Sequence, residues 1–235
     1  MWSFALRVVA VLAGSLPPLA YAACGPTGTE KVIIYSQGTK HPQNPGNCTR
    51  FNGPPSTLVN AARRRGYALE RLCDTWLGDQ EHRGSYVYHR ADQFIAKIGE
   101  CVRQGIPAKN IVLAGHSAGA WAALLALSGS RTDARTAVLF APACCGRPSG
   151  DKPEKWKRVR KRQIADIGSW RKRRILVFAY DDDPYGDAGS LDFLPKAFPK
   201  SIALQGYNCG FLGHYTFRFD CRWRATEAAI EAVLP

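Results

Sequence analysis

The stretch NIVLAGHSAGAWAALLAL, Asn110 to Leu127, decides the fold. Ile111 to Ala114 is a short apolar, β-prone run, and from Ser117 onward the chain is rich in Ala and Leu, so a strand, a tight turn and a helix are expected in that order. The turn, Gly115-His116-Ser117-Ala118-Gly119, has the form G-x-S-x-G. A side chain at either glycine would crowd the neighbouring strand or helix where the chain reverses. The serine hydroxyl then stands clear of the sheet at a helix start, where free backbone N–H groups favour developing negative charge.

Outward from this stretch, strand and helix signals alternate. Lys31 to Ser36 is an apolar β-rich run, Ser56 to Arg65 reads as a helix, and Tyr67 to Leu72 reads as a strand. Tyr86 to Gln104 is an amphipathic helix with Phe94, Ile95, Ile98, Cys101 and Val102 near one face. Beyond the central helix, Thr136 to Ala141, Arg174 to Tyr180 and Ser201 to Gln205 read as strands, and Arg222 to Val233 as a closing helix. This alternation predicts an α/β fold, a mostly parallel sheet covered by helices on both faces.

The strand, G-x-S-x-G turn and helix, followed by an Asp and a His, resemble the α/β-hydrolase superfamily, over most of the chain after Ala22. The resemblance implies a serine esterase in a small, trimmed form, because the two leading strands usual in such proteins have no counterpart before Lys31. A serine hydroxyl is a weak nucleophile and needs a base in contact, itself oriented by a third group. Of the five histidines, His214 lies in a loop between the last strand and the last helix, where hydrolases of this type keep their base. His116 occupies the x position of the turn, which normally points away from the reaction. His41, His82 and His89 lie upstream of the serine.

The strand ending at Tyr180 runs into Asp181-Asp182-Asp183-Pro184, so the chain order Ser117, Asp, His214 is the order this fold uses. Similarity to the family's G-x-x-D-P turn favours Asp183 as the orienting acid. Asp182 is the second candidate, Asp181 reads as a turn or cap residue, and Asp151 is a remote alternative. For the oxyanion, the backbone N–H of Ala118 is one expected donor. Ser36-Gln37-Gly38-Thr39 resembles the family's His-Gly-x loop, with Gln37 in place of His, and points to the N–H of Thr39 as the other. An ordinary glycine turn is the competing reading of that loop.

Met1 to Ala22 carries Arg7, an apolar run from Val8 to Leu12 and an Ala20-Tyr21-Ala22 close, the pattern of a secretory signal. Gly14, Pro17 and Pro18 break the run, which is short for a bilayer span. Cys24 after Ala22-Ala23 leaves a lipoprotein open, although Tyr21 is a poor match. Residues 23–235 are expected to form one catalytic domain, secreted or periplasmic. Its eight cysteines then suggest disulfides. Cys209 and Cys221 bracket His214 and are expected to pair; Cys24 with Cys48 is a weaker pairing. Cys144 and Cys145 are adjacent and no C-x-x-C or paired-His spacing occurs, so neither a zinc site nor a cofactor is implied.

The formal net charge is +13, and Arg147 to Arg174 holds twelve Lys or Arg against three Asp or Glu. This segment, an insertion at about 146–173, lies between two strands where α/β-hydrolases carry lids. Trp156, Val159, Ile164, Ile167 and Trp170 could form an apolar stripe on an otherwise basic helix. It reads either as a solvated helix face or as a lid attracting anionic substrates or an anionic membrane surface. No DNA- or RNA-binding motif accompanies the charge, so nucleic acid is not expected as a partner. Together these features predict an exported serine hydrolase acting on a small-molecule or polymer-linked carboxylic ester. Peptidase and thioesterase activities remain open as subclasses. A non-catalytic polyanion- or surface-binding protein on the same scaffold is the competing reading. Oligomeric state is not legible in the sequence.

Overall fold

Six strands pair side by side, all parallel: β1 (Val32–Ser36), β2 (Ala68–Arg71), β3 (Ile111–His116), β4 (Thr136–Phe140), β5 (Arg174–Tyr180) and β6 (Ile202–Tyr207). Their order across the sheet is β2-β1-β3-β4-β5-β6. These are features of a computed structural model, which describes residues 24–26, 28–38, 53–72, 83–129, 131–147, 150, 152–168, 173–210, 213–218 and 221–235. Met1 to Ala22, Thr39, Cys48, Asp151 and Trp170 lie outside these residues, so the expectations placed on them are not addressed by the structure.

Alternate residues along a strand point to opposite faces, and this divides the core in two. Val32, Ile34, Leu113, Leu139 and Val177 pack on one face, with α2 (Arg83–Arg103), α3 (Ala118–Leu127), and the short helices α5 (Ala188–Leu191) and α6 (Phe193–Ala197). Ile33, Tyr35, Val112, Val138, Phe140 and Phe178 pack on the other, against Leu58 and Ala61 of α1 (Ser56–Arg64) and Ile230 of α7 (Trp223–Val233). Strands covered on both sides have no solvent face, which is why β1, β3, β4 and β5 read as continuous apolar runs. All ten residues of α3 are buried, consistent with a helix apolar on every side.

The chain winds outward from β1 to β2, then returns to place β3 on the other side of β1. Strand order therefore reverses between β1 and β3, and in open α/β sheets the carboxyl ends of strands at such a point are where ligands dock. Ser36 lies opposite Gly115 there, two residues before Ser117.

The basic insertion forms α4 (Pro153–Ala165), with Pro at its first turn. Its inner side meets α2, where Gln163 Nε2 donates to the carbonyl of Gly84 at 2.7 Å. Arg160 donates to the carbonyl of Ser190 at 2.8 Å and lies over the Trp121 ring, and burial lowers its pKa from the ordinary arginine value. Lys157, Arg158, Lys161 and Arg162 are exposed on the outer side.

Several boundaries differ from the sequence expectation. Helix α2 begins at Arg83 rather than Tyr86, because its first turn is held from outside by Gln163 and Val159, which meet Gly84. Strand β6 continues to Tyr207, since Gly206 and Tyr207 still pair with Ala179 and Tyr180 despite the glycine. Helices α5 and α6 were not expected, being too short for a period to show; Asp187 Oδ1 caps α5 by accepting from the Ser190 N–H at 2.7 Å. Cys209 and Cys221 pair as expected, with Cα atoms 6.1 Å apart. Cys24 does not pair with Cys48: its partner is Cys101 at the end of α2, with Cα atoms 5.3 Å apart. The Cys24 N–H also donates to Gln104 Oε1 at 2.7 Å, so the segment before β1 docks on that helix end. Cys144 pairs with its neighbour Cys145.

Candidate active site

Ser117 occupies the turn between β3 and α3 with φ 56° and ψ −126°, a region non-glycine residues rarely adopt. Such a conformation costs about 1–3 kcal/mol and persists only where surrounding contacts enforce it. Three backbone hydrogen bonds do so. The Ser117 N–H donates to Phe140 at 3.0 Å, and its carbonyl accepts from Trp121 at 3.1 Å and Ala143 at 3.2 Å. Close approach explains the second glycine of the turn, since a Cβ on Gly119 would overlap the carbonyl oxygen of Ser36.

Strand β5 delivers the three carboxylates to the same end of the sheet. Asp181 and Asp182 are exposed, Asp182 with a left-handed φ of 63°, whereas Asp183 is buried at 6% exposure. The Asp183 oxygens lie 2.9 and 3.0 Å from His214 Nδ1. An ionised carboxylate only accepts, so Nδ1 carries the proton, and the lone pair of Nε2 is left facing Ser117 Oγ at 2.9 Å. The Tyr185 N–H also donates to Asp183 Oδ1, at 2.8 Å. Burial, reinforced by Tyr207 and Asp183, pushes the Tyr180 hydroxyl far above its ordinary pKa and keeps it neutral beside the acid.

His214 is carried by a short 3-10 turn, Gly213–Arg218. A side chain on Gly213 would collide with the backbone of Asp182 and Asp183, so the turn rests directly on the acid-bearing loop. His116 reaches the same turn from β3. Its Nε2 lies 2.8 Å from the carbonyl oxygen of His214, and the two rings are 4.8 Å apart. The x residue is thus turned into the loop carrying the imidazole. A histidine inside the turn was the only sequence signal of this contact.

A sequence profile described as the alpha/beta hydrolase family matches residues 46–230. The chain belongs to the α/β hydrolase family. No curated protein matches the sequence. Among solved structures, an esterase from the Planctomycetes species Thermogutta terrifontis with bound butyrate is similar at TM-score 0.59 and 14% identity, covering 92% of this chain and 86% of that one. The same esterase phosphoramylated by tabun is similar at TM-score 0.58 and 14% identity, over 92% of this chain and 85% of that one. A protein assigned to the alpha/beta hydrolase superfamily from Xanthomonas campestris pv. campestris gives TM-score 0.54 at 16% identity, over 88% and 98%. At these identities the likeness is one of fold.

Within this α/β hydrolase, the Ala118 N–H belongs to the first residue of α3, where helix N–H groups have no partner inside the helix. Gly38 backs directly on Ser117: a Cβ there would lie 2.6 Å from Ser117 Cβ and 2.9 Å from Oγ. Thr39 follows Gly38 in the chain. Tyr185 and Tyr215 flank the His214 ring, at 4.5 and 5.4 Å between ring centres. The Arg147 guanidinium lies 5.1 Å from the Tyr185 ring centre, and hydrogen bonding to Tyr185, then the fields of Tyr185, Tyr215 and Asp183, hold its pKa above the ordinary value. Tyr185 and Arg147 carried no sequence signal that singled them out. Among the described residues no group of three or more His, Cys, Asp or Glu could hold a metal ion, and no helix is long and apolar enough to cross a membrane.

Proposed function

We propose that this protein is an exported serine hydrolase that cleaves carboxylic esters through an acyl-enzyme. The observation that carries the reading is the continuous hydrogen-bond chain from Ser117 Oγ through His214 to Asp183. Ser117 Oγ attacks the ester carbonyl while His214 Nε2 takes its proton. Asp183 holds the imidazole in the Nδ1-protonated tautomer and stabilises the imidazolium that forms. The N–H groups of Ala118 and Thr39 receive the oxyanion. Collapse of the tetrahedral species expels the alcohol, which takes the proton from His214 and leaves the acyl group on Ser117. Water, deprotonated by His214, then releases the acid and restores the hydroxyl.

An esterase of the same fold has been captured phosphoramylated by tabun, which supports organophosphate reactivity for a site of this design. The signal-like pattern of Met1 to Ala22 and the cysteine pairs support export to an oxidising compartment. The basic outer side of α4 supports association with anionic surfaces. Labelling with a fluorophosphonate probe, followed by a panel of acyl esters with an amide and a thioester alongside, tests the reaction class. Labelling with turnover of esters and not of the amide or thioester is expected. Absence of labelling would defeat the reading.

A further inference from the structure

Several cations of the insertion and its borders have partners of their own. Arg160 is used against Ser190, Arg173 caps the carbonyls of Gly129, Thr132 and Ala134, and Lys157 pairs with Glu154 at 2.7 Å. Arg147 differs in place and in partners. It lies in the segment between β4 and α4, in which the Ala143 N–H donates to the Ser117 carbonyl, so the start of that segment is tied to the elbow. Its guanidinium lies over the Tyr185 ring, and that ring also neighbours the His214 imidazole, with 4.5 Å between ring centres. One aromatic ring therefore touches both an exposed cation and the proposed general base.

The charge of Arg147 is available to a ligand. The side chain is exposed, and among the described residues no carboxylate forms an ion pair with it. Asp183 is near enough to act through its field, but it is buried and its oxygens face His214 Nδ1 and the Tyr185 N–H. Tyr185 restricts the guanidinium to the rim of the site by stacking, a cation–π contact of about 0.5–1 kcal/mol at an exposed position. Tyr215, also beside the imidazole, is 48% exposed and adds an aromatic surface to the rim. A planar fork of N–H donors beside a reacting carbonyl matches a second, ionised acid group on the same substrate, because guanidinium and carboxylate meet through two parallel hydrogen bonds.

Resting on the esterase reading, we propose that Arg147 anchors an anion subsite beside His214, and that the substrates this enzyme prefers are esters carrying a free carboxylate. The carboxylate docks on Arg147, its chain passes over Tyr185, and the ester carbonyl reaches Ser117. No co-reactant beyond water is needed, since the free carboxylate is bound and not transformed.

The test uses 4-nitrophenyl monoesters of succinic, glutaric and adipic acids, each compared with the neutral ester in which the far acid is methylated. Wild type should favour the carboxylate form in kcat/KM at one or more chain lengths. Arg147→Gln should lower that preference by about tenfold or more, the low end for a hydrogen bond to a charged group, mainly through KM. Arg147→Lys should restore part of it. The Lys157→Gln, Arg158→Gln, Lys161→Gln, Arg162→Gln combination should leave the preference intact. A wild type that prefers the neutral esters, a preference insensitive to Arg147→Gln, or one lost only in the fourfold helix variant would overturn the subsite while hydrolysis and fluorophosphonate labelling persist. Loss of labelling and of all hydrolysis in wild type would instead remove the esterase reading, and the subsite with it.

Discussion

His116 Nε2 donates to the carbonyl oxygen of His214 at 2.8 Å. A carbonyl oxygen cannot donate, so the proton is on Nε2, and the elbow and the imidazole loop are joined by this side-chain-to-backbone bond as well as by the Ser117–His214 bond. Both histidines are buried at 5% exposure, so water cannot replace a lost donor freely. His116→Leu should lower kcat about tenfold, through a buried acceptor left unpaired at a cost of about 1–3 kcal/mol, with KM little changed. His116→Gln, which retains an N–H donor, should recover part of the loss. Steady-state kinetics of both variants, with the fluorophosphonate labelling rate, check this. A leucine variant that loses only thermal stability would reduce the contact to a structural one.

Asp183→Asn should cost far more activity than Asp182→Asn. Asp183 is buried against His214 Nδ1, whereas Asp182 is exposed with a left-handed φ. An amide at 183 favours the wrong imidazole tautomer, and losses of about 10⁴ in kcat are typical of such a change in a Ser-His-Asp triad. Kinetic comparison of the two variants decides it, and similar small losses in both would move the orienting acid elsewhere.

Gly38→Ala should strip activity while leaving the fold. The added methyl would sit 2.6 Å from Ser117 Cβ and 2.9 Å from Oγ, so either the serine rotamer or the Gly38 loop must shift. A displacement of about 1 Å at a reacting group costs about 100-fold in rate. Circular dichroism and kcat/KM on the same preparation separate the two effects; near-native turnover would mean the loop yields without disturbing the nucleophile.

Glu227 links α7 to α1: its carboxylate accepts from Asn60 at 2.9 Å and pairs with Arg64 at 2.6 Å. The Asn60 hydrogen bond, aided by Arg64, holds its pKa below the ordinary carboxylate value. A lowered folded-state pKa contributes stability that is present above the ordinary carboxylate range and is lost as pH falls through the lowered value. Arg64 is half exposed, so water screens the pair and the effect is modest. Glu227→Gln should lower Tm by about 2 °C at pH 7, with the gap narrowing as pH falls below the ordinary carboxylate range. A gap that widens in acid would contradict the assigned sign.

Much of this architecture was legible because burial on both faces makes a strand apolar throughout, as in Ile111 to Ala114 and Arg174 to Tyr180, and strand signals of that kind survive without tertiary context. The order of Ser117, Asp183 and His214 was legible for a related reason, since each follows or precedes a strand end that the sheet brings to one edge. What escaped the sequence depended on partners distant in the chain. Cys101 becomes the partner of Cys24 only once the chain before β1 reaches the end of α2, across 77 residues of sequence. The first turn of α2 is held by Gln163, 79 residues away, and the contact of His116 with His214 spans 98. Arg147 was one base among twelve until the fold set it over Tyr185, whose ring neighbours the imidazole.

The central claim is that Ser117 is a nucleophile activated by His214, and mass spectrometry of the intact protein after fluorophosphonate treatment tests it most directly. Wild type should gain one phosphonyl adduct that maps to the peptide containing Ser117. Ser117→Ala should remain unmodified while keeping its circular dichroism spectrum and melting temperature. An unmodified wild type, or an adduct of equal yield in the alanine variant, would contradict the account.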